Sequence, residues 1–254
     1  MKQGFVIPIY NHGKTVPALV KQLSETGLPV ILVDDGSNEE TKQYLNQTIK
    51  DFPLTVLVTL KKNSGKGGAI SAGIDKALDL GLTHVLQIDA DGQHDTGRCG
   101  FFLEQSEAHP EAMICAFPEY DESVPSIRKN GRVVANTWSK IVTLSNDIVD
   151  SMCGFRVYPV EVTHKIMHRN FIDSRMGFDI DILVRLHWNN ISFLFFPVHV
   201  IYPEDGISNF HIVKDNIRIS LVFTRLFFGM LLRLPVLLYR KIRKCNKNTN
   251  TTAG

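Results

Sequence analysis

Short apolar runs alternate with longer amphipathic segments along the first half of the chain. The apolar runs have the length of buried strands, and they predict strands at 5–9, 30–33, 54–60, 84–88 and 113–117. The segments between them carry apolar residues at helical spacing, and they predict helices at 16–25, 39–50 and 68–80. Apolar strands separated by helix-length crossovers form mostly parallel sheets that are covered on both faces. The order therefore predicts an α/β fold with a Rossmann-like, mostly parallel sheet and helices on both faces.

The second half of the chain has a less regular pattern. A polar stretch extends to Asn130, and helical spacing returns at 133–144 and at 179–188. The sequence contains no internal repeat. We expect this half to complete a site that the first half begins.

Polar side chains cluster at the ends of the predicted strands. Tyr10 and Asn11 follow the first run, and Asp35 lies directly after the second. Asp89 and Asp91 leave the end of the fourth run. Because the ligands of open parallel sheets bind beyond the carboxyl ends of the strands, these residues predict a binding site at one edge of the sheet.

Asp89 and Asp91 provide the strongest single signal. Side chains two positions apart share a face of an extended segment, so the two carboxylates can converge on one cation. Hard divalent ions such as Mg²⁺ and Mn²⁺ prefer oxygen ligands and keep positions open for substrate phosphates. Gln93 continues the alternation and offers a third oxygen. The competing interpretation is an acidic turn in which Gly92 reverses the chain.

Two other strand ends carry residues that suit a nucleotide. Asp35 can accept hydrogen bonds from a base or from a ribose hydroxyl. The alternative is a plain turn in which Ser37 or Asn38 caps the next helix. In the segment 63–68, glycines precede a helix, so backbone amides and the Lys66 ammonium could meet a diphosphate, although the spacing is not that of a Walker loop.

In combination, these motifs resemble the family 2 glycosyltransferases, which have the GT-A fold. The resemblance is strongest to their polyprenyl-phosphate branch, such as the dolichol-phosphate mannose synthases, and it spans residues 5–210. The matching pieces are Ile-Pro-Ile-Tyr-Asn at 7–11, Val-Asp-Asp-Gly-Ser at 33–37, the segment 63–68, Asp-Ala-Asp-Gly-Gln-His-Asp at 89–95 and Cys-Gly-Phe-Arg at 153–156.

The resemblance implies an inverting glycosyltransferase that takes a sugar from a nucleotide-diphosphate donor and uses Mg²⁺ or Mn²⁺. The nucleotide-sugar site that it implies comprises Pro8, Tyr10, Asn11, Asp35, Lys66 and Asp89. The metal ligands that it implies are Asp89, Asp91 and Gln93.

Two departures from the family pattern bear on the acceptor. Thr96 and Gly97 stand where the family often has a proline, so the entry into the next helix should differ. The loop at 204–210 is acidic, with Glu204 and Asp205, whereas the lipid-phosphate enzymes tend to carry arginine and lysine there. We therefore expect a lipid-borne or other membrane-associated hydroxyl as the acceptor, with a polyprenyl phosphate as the alternative.

A hydroxyl acceptor must lose a proton to a carboxylate as it attacks the anomeric carbon, whereas a phosphate acceptor needs no base. Asp179 and Asp181 open the helix predicted at 179–188. By the resemblance, Asp179 falls where hydroxyl-specific members keep their catalytic carboxylate, so we expect Asp179 to be the base and Asp181 to be the second choice. Acidic residues in a first helical turn also complement the helix dipole, which is the alternative explanation.

Three arginines are candidates for binding the diphosphate leaving group alongside the metal. They are Arg128, Arg132 and Arg156. Each of them alone is more typical of a solvated surface. His94, beside the metal motif, is a further candidate for a phosphate contact.

The C-terminal segment is apolar between 217 and 239, but arginines interrupt it before any run of the roughly 20 residues that a spanning helix needs. Its cations fall in one sector of a helix, which is typical of an interfacial helix with cations at the lipid headgroups. These cations are Lys214, Arg218, Arg225, Arg233 and Arg240. The alternative is a helix, broken near Pro235, that packs on the domain or on a partner.

The predicted organisation has three parts. A GT-A domain at 1–212 is followed by an amphipathic, membrane-associating helical segment at 213–245. The Asn- and Thr-rich end at 246–254 is expected to be disordered.

Composition narrows the partners and the compartment. The net charge of +2 argues against the broad basic surface of a nucleic-acid-binding protein. The four cysteines form no C-x-x-C pair, which is typical of reduced thiols rather than of a zinc knuckle or a disulfide framework. The first apolar stretch is too short for a signal peptide. We expect a cytoplasmic protein that is peripheral on the inner face of the cell membrane, and its tail would also allow a homo-oligomer.

Other functions fit the motifs less well. A sugar-1-phosphate nucleotidyltransferase would have a glycine-rich loop after the first strand, and a dinucleotide-dependent oxidoreductase would have G-x-G-x-x-G there. This chain has Tyr10, Asn11 and His12 instead. A non-catalytic nucleotide-sugar-binding membrane scaffold would not need both metal carboxylates and a base.

Overall fold

A computed structural model of the chain describes residues 1–92, 95–119, 126–199 and 212–251, with side chains everywhere except at 126–129, 212 and 244–251. The strands are β1 (Gln3–Ile9), β2 (Val30–Asp34), β3 (Thr55–Thr59), β4 (His84–Gln87), β5 (Ala112–Glu119), β6 (Arg156–Pro159) and β7 (Ser192–His199). The helices are α1 (Val16–Ser24), α2 (Glu39–Asp51), α3 (Lys66–Asp79), α4 (Cys99–Ala108), α5 (Ser126–Thr143), α6 (Val160–Arg169), α7 (Phe178–Trp188) and α8 (Ile212–Thr251). Short 3₁₀ helices lie at Gly13–Thr15 and Thr96–Arg98.

The described strands form one sheet of seven strands in the order β3-β2-β1-β4-β6-β5-β7. β6 runs antiparallel to β4 and to β5, and the other neighbouring pairs are parallel. This arrangement confirms the predicted α/β fold with a mostly parallel sheet. The sequence pattern did not predict β6, β7, α4 or α6. β6 was missed because its four residues begin with a charged arginine and end with a proline, so they form no apolar run.

Side chains of the central strands alternate between two cores, one on each face of the sheet. In β1, Val6 lies in one core, whereas Phe5 and Ile7 lie in the other. The Val6 core is covered by α3, α5, α6, α7 and α8, and the Phe5 core by α1, α2 and α4. Helices therefore cover both faces, as expected for strands that are apolar throughout.

The sheet opens beside Pro8 in β1. β1 pairs with β4 only as far as the match between Val6 and Gln87, although its pairing with β2 continues to Ile9. Pro8 has no N–H to donate. The backbone groups of residues two apart in a strand point to the same neighbouring strand, and the Val6 carbonyl accepts from the Ile88 amide on the β4 side. The amide that Pro8 lacks would therefore also face β4. β4 therefore leaves the sheet at this point, and we call the opening beyond it, at the carboxyl ends of the parallel strands, the cleft.

Helix α8 packs along the domain, chiefly against α5 and α7. The buried apolar side chains on its inner side are Ile219, Val222, Phe223, Leu226, Met230 and Leu237. Arg218 Nε donates to Asp173 Oδ1 at 2.7 Å, and Arg225 is paired with the buried Asp181. These contacts agree with the alternative that the segment packs on the domain.

Four of the five cations in the basic sector of α8 contact the domain, whereas Lys214 is exposed. Besides the ion pairs of Arg218 and Arg225, the Arg233 guanidinium lies 4.6 Å from the ring centre of Trp188, and Arg240 Nη1 donates to the Trp188 carbonyl at 2.9 Å. The expectation that this sector meets lipid headgroups is therefore wrong for Arg218 and Arg225. A helical wheel groups the cations correctly, but it does not contain the carboxylates of other elements that bind them.

The outward side of α8 is a row of exposed apolar side chains, which we call the apolar ridge. It consists of Ile217, Leu221, Phe228, Leu231, Leu232, Val236, Tyr239 and Ile242. By length and composition alone, Val213–Arg243 could cross a membrane, with a mean hydropathy of 1.9 and 28% of its most apolar window buried. The sequence suggested that the arginines keep every apolar run shorter than a spanning helix needs, whereas this segment meets the criterion of length and composition.

The helix also continues past both of its expected limits. It passes through Pro235, which is exposed, so that the carbonyl left without an N–H partner can bind water instead. Its described part extends to Thr251. The disorder expected for the segment 246–254 stays a prediction. Residues 252–254 lie outside the described ranges.

Candidate active site

Four charged side chains from four separate segments meet at the cleft beside Pro8. Lys66 is the first residue of α3, and Asp89 follows β4. Arg156 begins β6, and Asp179 lies in the first turn of α7. The strand ends that the sequence pointed to therefore do converge, and β6 adds a cation between them.

These residues form an alternating chain of charges that we call the ionic chain. Lys66 Nζ lies 3.0 Å from Asp89 Oδ2 and 3.1 Å from Asp179 Oδ2. Arg156 Nη1 donates to Asp179 Oδ1 and to its backbone carbonyl, each at 3.1 Å. The exposed side-chain fraction falls from 26% at Asp89 to 18% at Lys66, 9% at Asp179 and 0% at Arg156. The ionic chain thus extends from the cleft into the core.

The charges of the ionic chain stabilise one another. Burial by itself would lower the pKa of Lys66, but the carboxylates of Asp179 and Asp89 outweigh it and raise the pKa above its ordinary value. Burial likewise opposes the charge of Arg156, and Asp179 raises the pKa of its guanidinium. Both cations therefore remain charged at neutral pH, and Lys66 presents a fixed positive charge to the cleft.

Two buried polar residues orient Asp89, and the sequence did not single them out. The Tyr158 hydroxyl donates to Gln87 Oε1 at 3.0 Å, and Gln87 Nε2 donates to Asp89 Oδ1 at 3.3 Å. Burial raises the pKa of Tyr158, so its hydroxyl keeps the proton that it donates. Tyr158 was hidden from sequence reasoning because it belongs to β6, which no local pattern predicted.

Glycine is required at two close approaches around Lys66. A Cβ atom on Gly154 would lie 2.6 Å from Lys66 Nζ and 2.8 Å from Asp89 Oδ2. A Cβ atom on Gly67 would lie 2.6 Å from the backbone oxygen of Asp173. Two residues of the Cys-Gly-Phe-Arg motif at 153–156 therefore belong to the site. Gly154 leaves room for the Lys66–Asp89 ion pair, and Arg156 is the last member of the ionic chain.

Asp35 anchors the loop that leads into α3. Its two carboxylate oxygens accept from the backbone amides of Ser64 at 2.6 Å and Gly65 at 2.8 Å. Burial raises the pKa of Asp35 even though these two amides lower it. The Gly68 amide donates to the Ser174 carbonyl at 3.1 Å. The backbone amides of Ser64, Gly65 and Gly68, which the sequence suggested for a diphosphate, are thus bound within the protein. From the same segment, the Lys66 ammonium reaches the cleft.

The remaining residues of the expected nucleotide pocket lie at the ends of β1 and β2. Pro8 and Tyr10 are partly exposed, and Asn11 is exposed with a φ of 58°. Asn11 Oδ1 accepts from the Asn38 amide at 2.9 Å. The Asn38 side chain in turn accepts from the Thr41 amide at 2.9 Å, so the predicted helix cap is present.

Asp181 has different surroundings from Asp179, although only one residue separates them. Its side chain is fully buried. Oδ1 accepts from Arg185 Nε at 2.7 Å, and Oδ2 accepts from the Asp173 amide at 2.8 Å and from Arg225. Asp181 therefore holds α7, the preceding loop and α8 together, whereas Asp179 faces Lys66.

The candidate phosphate-binding residues are not all at the cleft. Arg132 Nη1 is held by Asp150 Oδ2 at 2.6 Å, and Asp150 Oδ1 also accepts from the Cys153 amide at 2.7 Å, so this pair fixes the loop before Gly154. Arg156 lies fully buried behind Asp179 and orients that carboxylate, contrary to the expectation that it meets a diphosphate. The Arg128 side chain and residues Gln93 and His94 lie outside the described parts of the chain.

The carboxylates expected to bind a metal lie where β4 leaves the sheet. Asp89 and Asp91 are both partly exposed, and they follow β4 into the cleft. A carboxylate has about four lone-pair sites, so Asp89 can keep its bonds to Lys66 and Gln87 and still bind a cation. Oxygen donors at a partly open position fit a hard divalent ion such as Mg²⁺ or Mn²⁺.

The mostly parallel sheet with helices on both faces is a GT-A fold, and an acidic pair lies at the exit of a central strand with a lysine at the start of the preceding helix. The chain belongs to Glycosyl transferase family 2, whose sequence profile matches residues 5–170. The chain is therefore an enzyme that transfers a sugar, and the scaffold interpretation is set aside.

The relatives include enzymes of lipid-linked sugar transfer. The polyprenol monophosphomannose synthase of Mycolicibacterium smegmatis is 29% identical over 210 residues, which cover 80% of this chain and 78% of that protein. The dolichyl-phosphate beta-glucosyltransferase of Dictyostelium discoideum is 27% identical over 242 residues, which cover 84% and 72%. These relatives confirm the resemblance to the polyprenyl-phosphate branch.

The fold also occurs in a solved structure. The glucosyl-3-phosphoglycerate synthase of M. tuberculosis aligns with a TM-score of 0.61 and 13% sequence identity, over 91% of this chain and 79% of that chain. At this identity the comparison supports the fold alone.

The close approach of Gly154 makes a specific prediction. Gly154→Ala should lower kcat/KM by about 100-fold, because its Cβ displaces Lys66 from Asp89 and a shift of about 1 Å in an active site has a cost of that order. Steady-state transfer kinetics measure the loss. Gly100→Ala is the matched control, since a Cβ there meets nothing within 4 Å and alanine suits the exposed helix α4. Equal activity of the two variants would contradict the role given to the Lys66–Asp89 pair.

Proposed function

We propose that this enzyme transfers a sugar from a nucleotide-diphosphate donor to a polyprenyl phosphate at a membrane surface. The donor would bind at the strand ends between Pro8, Tyr10, Asn11 and Asp35 and the Lys66 end of α3. Lys66 is the group that would offset the charge that grows on the leaving diphosphate, because its ammonium is fixed at the cleft by two carboxylates.

One observation favours a phosphate over a hydroxyl as the acceptor. Both carboxylate oxygens of Asp179 are already engaged, Oδ2 by Lys66 and Oδ1 by Arg156. The carboxylate is thus already used to hold two cations, and this use does not require it to accept a proton from the acceptor. A phosphate is an anionic nucleophile that needs no base, so this arrangement suits it. Two of the relatives are named for polyprenol- or dolichyl-phosphate chemistry, which supports the same choice.

A lipid-borne hydroxyl is the second candidate acceptor. It rests on the position of Asp179, which is the carboxylate of α7 that faces the cleft. The acidic loop at 204–210, which favoured a hydroxyl from the sequence, lies outside the described residues. Asp181 is a poor alternative base, because it is fully buried and bound by Arg185 and Arg225.

A divalent metal completes the proposed site. Asp89 and Asp91 would hold Mg²⁺ or Mn²⁺, with Gln93 as the further ligand expected from the sequence. When bound, the ion would supply positive charge to the diphosphate oxygens. Lys66 and the ion would then both contact the leaving diphosphate, and Asp89 would bind both of them.

The apolar ridge of α8 is the proposed membrane contact. Its members are exposed, at 84% for Leu232 and 61% for Phe228. Helix α5 packs against α8 and adds exposed apolar side chains, including Val133 at 63% and Trp138 at 39%. A surface this apolar is unusual on a protein that meets only water. We propose that the helix lies in the interface of the inner leaflet, because its inner side is already occupied by the domain.

Removal of the metal should stop the reaction. EDTA should abolish transfer, and Mn²⁺ or Mg²⁺ added in excess should restore it, because the ion offsets charge that Lys66 alone cannot balance. The measurement is incorporation of labelled sugar into a lipid product. Full activity in EDTA would remove Asp89 and Asp91 from the role of metal ligands.

The acceptor can be identified by pairing two substrates with one variant. We expect transfer to a polyprenyl phosphate and none to the matched polyprenol. With the phosphate acceptor, Asp179→Asn should keep kcat within about tenfold of wild type, because no base is lost. The donor KM should rise, because Lys66 loses one of its two partners.

One result would favour the hydroxyl acceptor over the phosphate. A fall in kcat of about 10² to 10⁴-fold with donor binding unchanged would identify Asp179 as a general base and favour the hydroxyl acceptor. Asp179→Asn and Asp181→Asn should both lower the melting temperature, because each leaves buried arginine charge facing a neutral amide. Asp181→Asn therefore serves as the control that shows how much of a fall in kcat comes from destabilisation alone.

Membrane binding should depend on the apolar ridge rather than on the inward arginines. Phe228→Glu with Leu232→Glu should release the protein from anionic vesicles, because each change places a charge on the exposed side of α8. Arg233→Glu is the control, since Arg233 packs on Trp188, and it should leave most of the protein bound. Vesicle sedimentation measures both. Release by Arg233→Glu alone would restore the headgroup interpretation of the basic sector.

A further inference from the structure

A cluster of metal-ligating side chains lies outside the cleft, between α3 and α6. His164 and His168 are four residues apart on α6, so they share one face of that helix. Asp75 comes from α3, which packs against α6. His168 Nε2 lies 2.8 Å from Asp75 Oδ1, and His164 Nε2 lies 3.5 Å from the same oxygen.

The geometry of this cluster suits a metal ion. The potential ligand atoms of the three residues all lie within 4.8 Å of one another, and the imidazole ring centres are 4.3 Å apart. Tetrahedral zinc with bonds of about 2.0–2.1 Å separates its ligand atoms by about 3.3 Å. The two observed nitrogen-to-oxygen distances lie on either side of that value. Small side-chain rotations would therefore let all three residues bind one ion.

The donor atoms indicate which ion would bind. Two imidazoles with one carboxylate suit a borderline divalent ion such as Zn²⁺, whereas Mg²⁺ prefers oxygen ligands alone. The side chains are 32%, 52% and 44% exposed for His164, His168 and Asp75, so water can reach a fourth position. The alternative is a simple ion pair between His168 and Asp75. Such a pair would not explain why His164 also approaches the same Asp75 oxygen.

We propose that Asp75, His164 and His168 form a zinc site that is separate from the catalytic centre. Asp75 lies nine residues after Lys66 on α3, which is roughly 14 Å along the helix. Helix α6 follows directly after β6, which begins with Arg156. An ion bound here would therefore fasten together the two helices that connect to the two cations of the ionic chain.

The test is calorimetric titration of the metal-stripped full chain with Zn²⁺ in excess Mg²⁺, which occupies oxygen-only sites. We expect one equivalent of Zn²⁺ to bind and to raise the melting temperature. His164→Ala, His168→Ala and Asp75→Ala should each weaken binding by at least about 10- to 100-fold, the loss that even an outer-shell change can cause. His109→Ala, which removes an exposed histidine at the end of α4, is the matched control and should bind as wild type does.

Two outcomes would overturn the proposal. One is the absence of any zinc binding to the wild-type chain. The other is binding that survives either histidine substitution or Asp75→Ala unchanged, since the ion would then not use all three ligands. The substituted residues are half-exposed, so folded variants are expected, and far-ultraviolet circular dichroism checks them. Transfer activity does not enter this readout, so the result is independent of the proposed acceptor.

Discussion

The ionic chain of Asp89, Lys66, Asp179 and Arg156 is the interaction on which the rest of the site depends. Two acids and two cations alternate, so each buried charge has a partner of opposite sign. Removing one partner from a buried pair typically costs about 3–5 kcal/mol, because the other charge stays buried and uncompensated. The four residues belong to α3, β6, α7 and the segment after β4, so their pairing fixes how these elements meet. Gly154 and Gly67 permit that approach, and Asp35 holds the loop that presents Lys66.

Much of this site could be predicted from the sequence because its first half follows local rules. Apolar runs and crossovers gave β1 to β5, and the parallel order brought Asp35 and Asp89 to one edge. β6 could not be found in that way. It pairs with β4 across a long stretch of sequence, matching His84 with Pro159, and it has no period of its own. Arg156 was consequently assigned to a diphosphate, whereas the antiparallel strand places it beneath Asp179.

Helix α8 shows a second limit of sequence patterns. The spacing of its arginines correctly predicted that they share one side of the helix. What faces that side is set by residues far away in sequence, namely Asp173 and Asp181, whose buried carboxylates bind Arg218 and Arg225. These pairs leave neither buried carboxylate without a partner, which would be costly. Arg218 and Arg225 are therefore held against the domain instead of at the lipid headgroups, while the apolar ridge faces outward.

The ion pairs of α8 connect the proposed membrane contact to the chemistry. Arg225 of α8 binds Asp181, and Asp181 lies two residues from Asp179 in the same helical turn of α7. Arg218 binds Asp173, whose other oxygen accepts from the Gly177 amide directly before α7. If the apolar ridge docks on a bilayer, these ion pairs hold the start of α7 at a fixed position relative to the lipid. The proposed lipid-borne acceptor would enter from that surface, so the bonds that anchor α8 would also set where its reacting group arrives relative to Lys66 and Asp179.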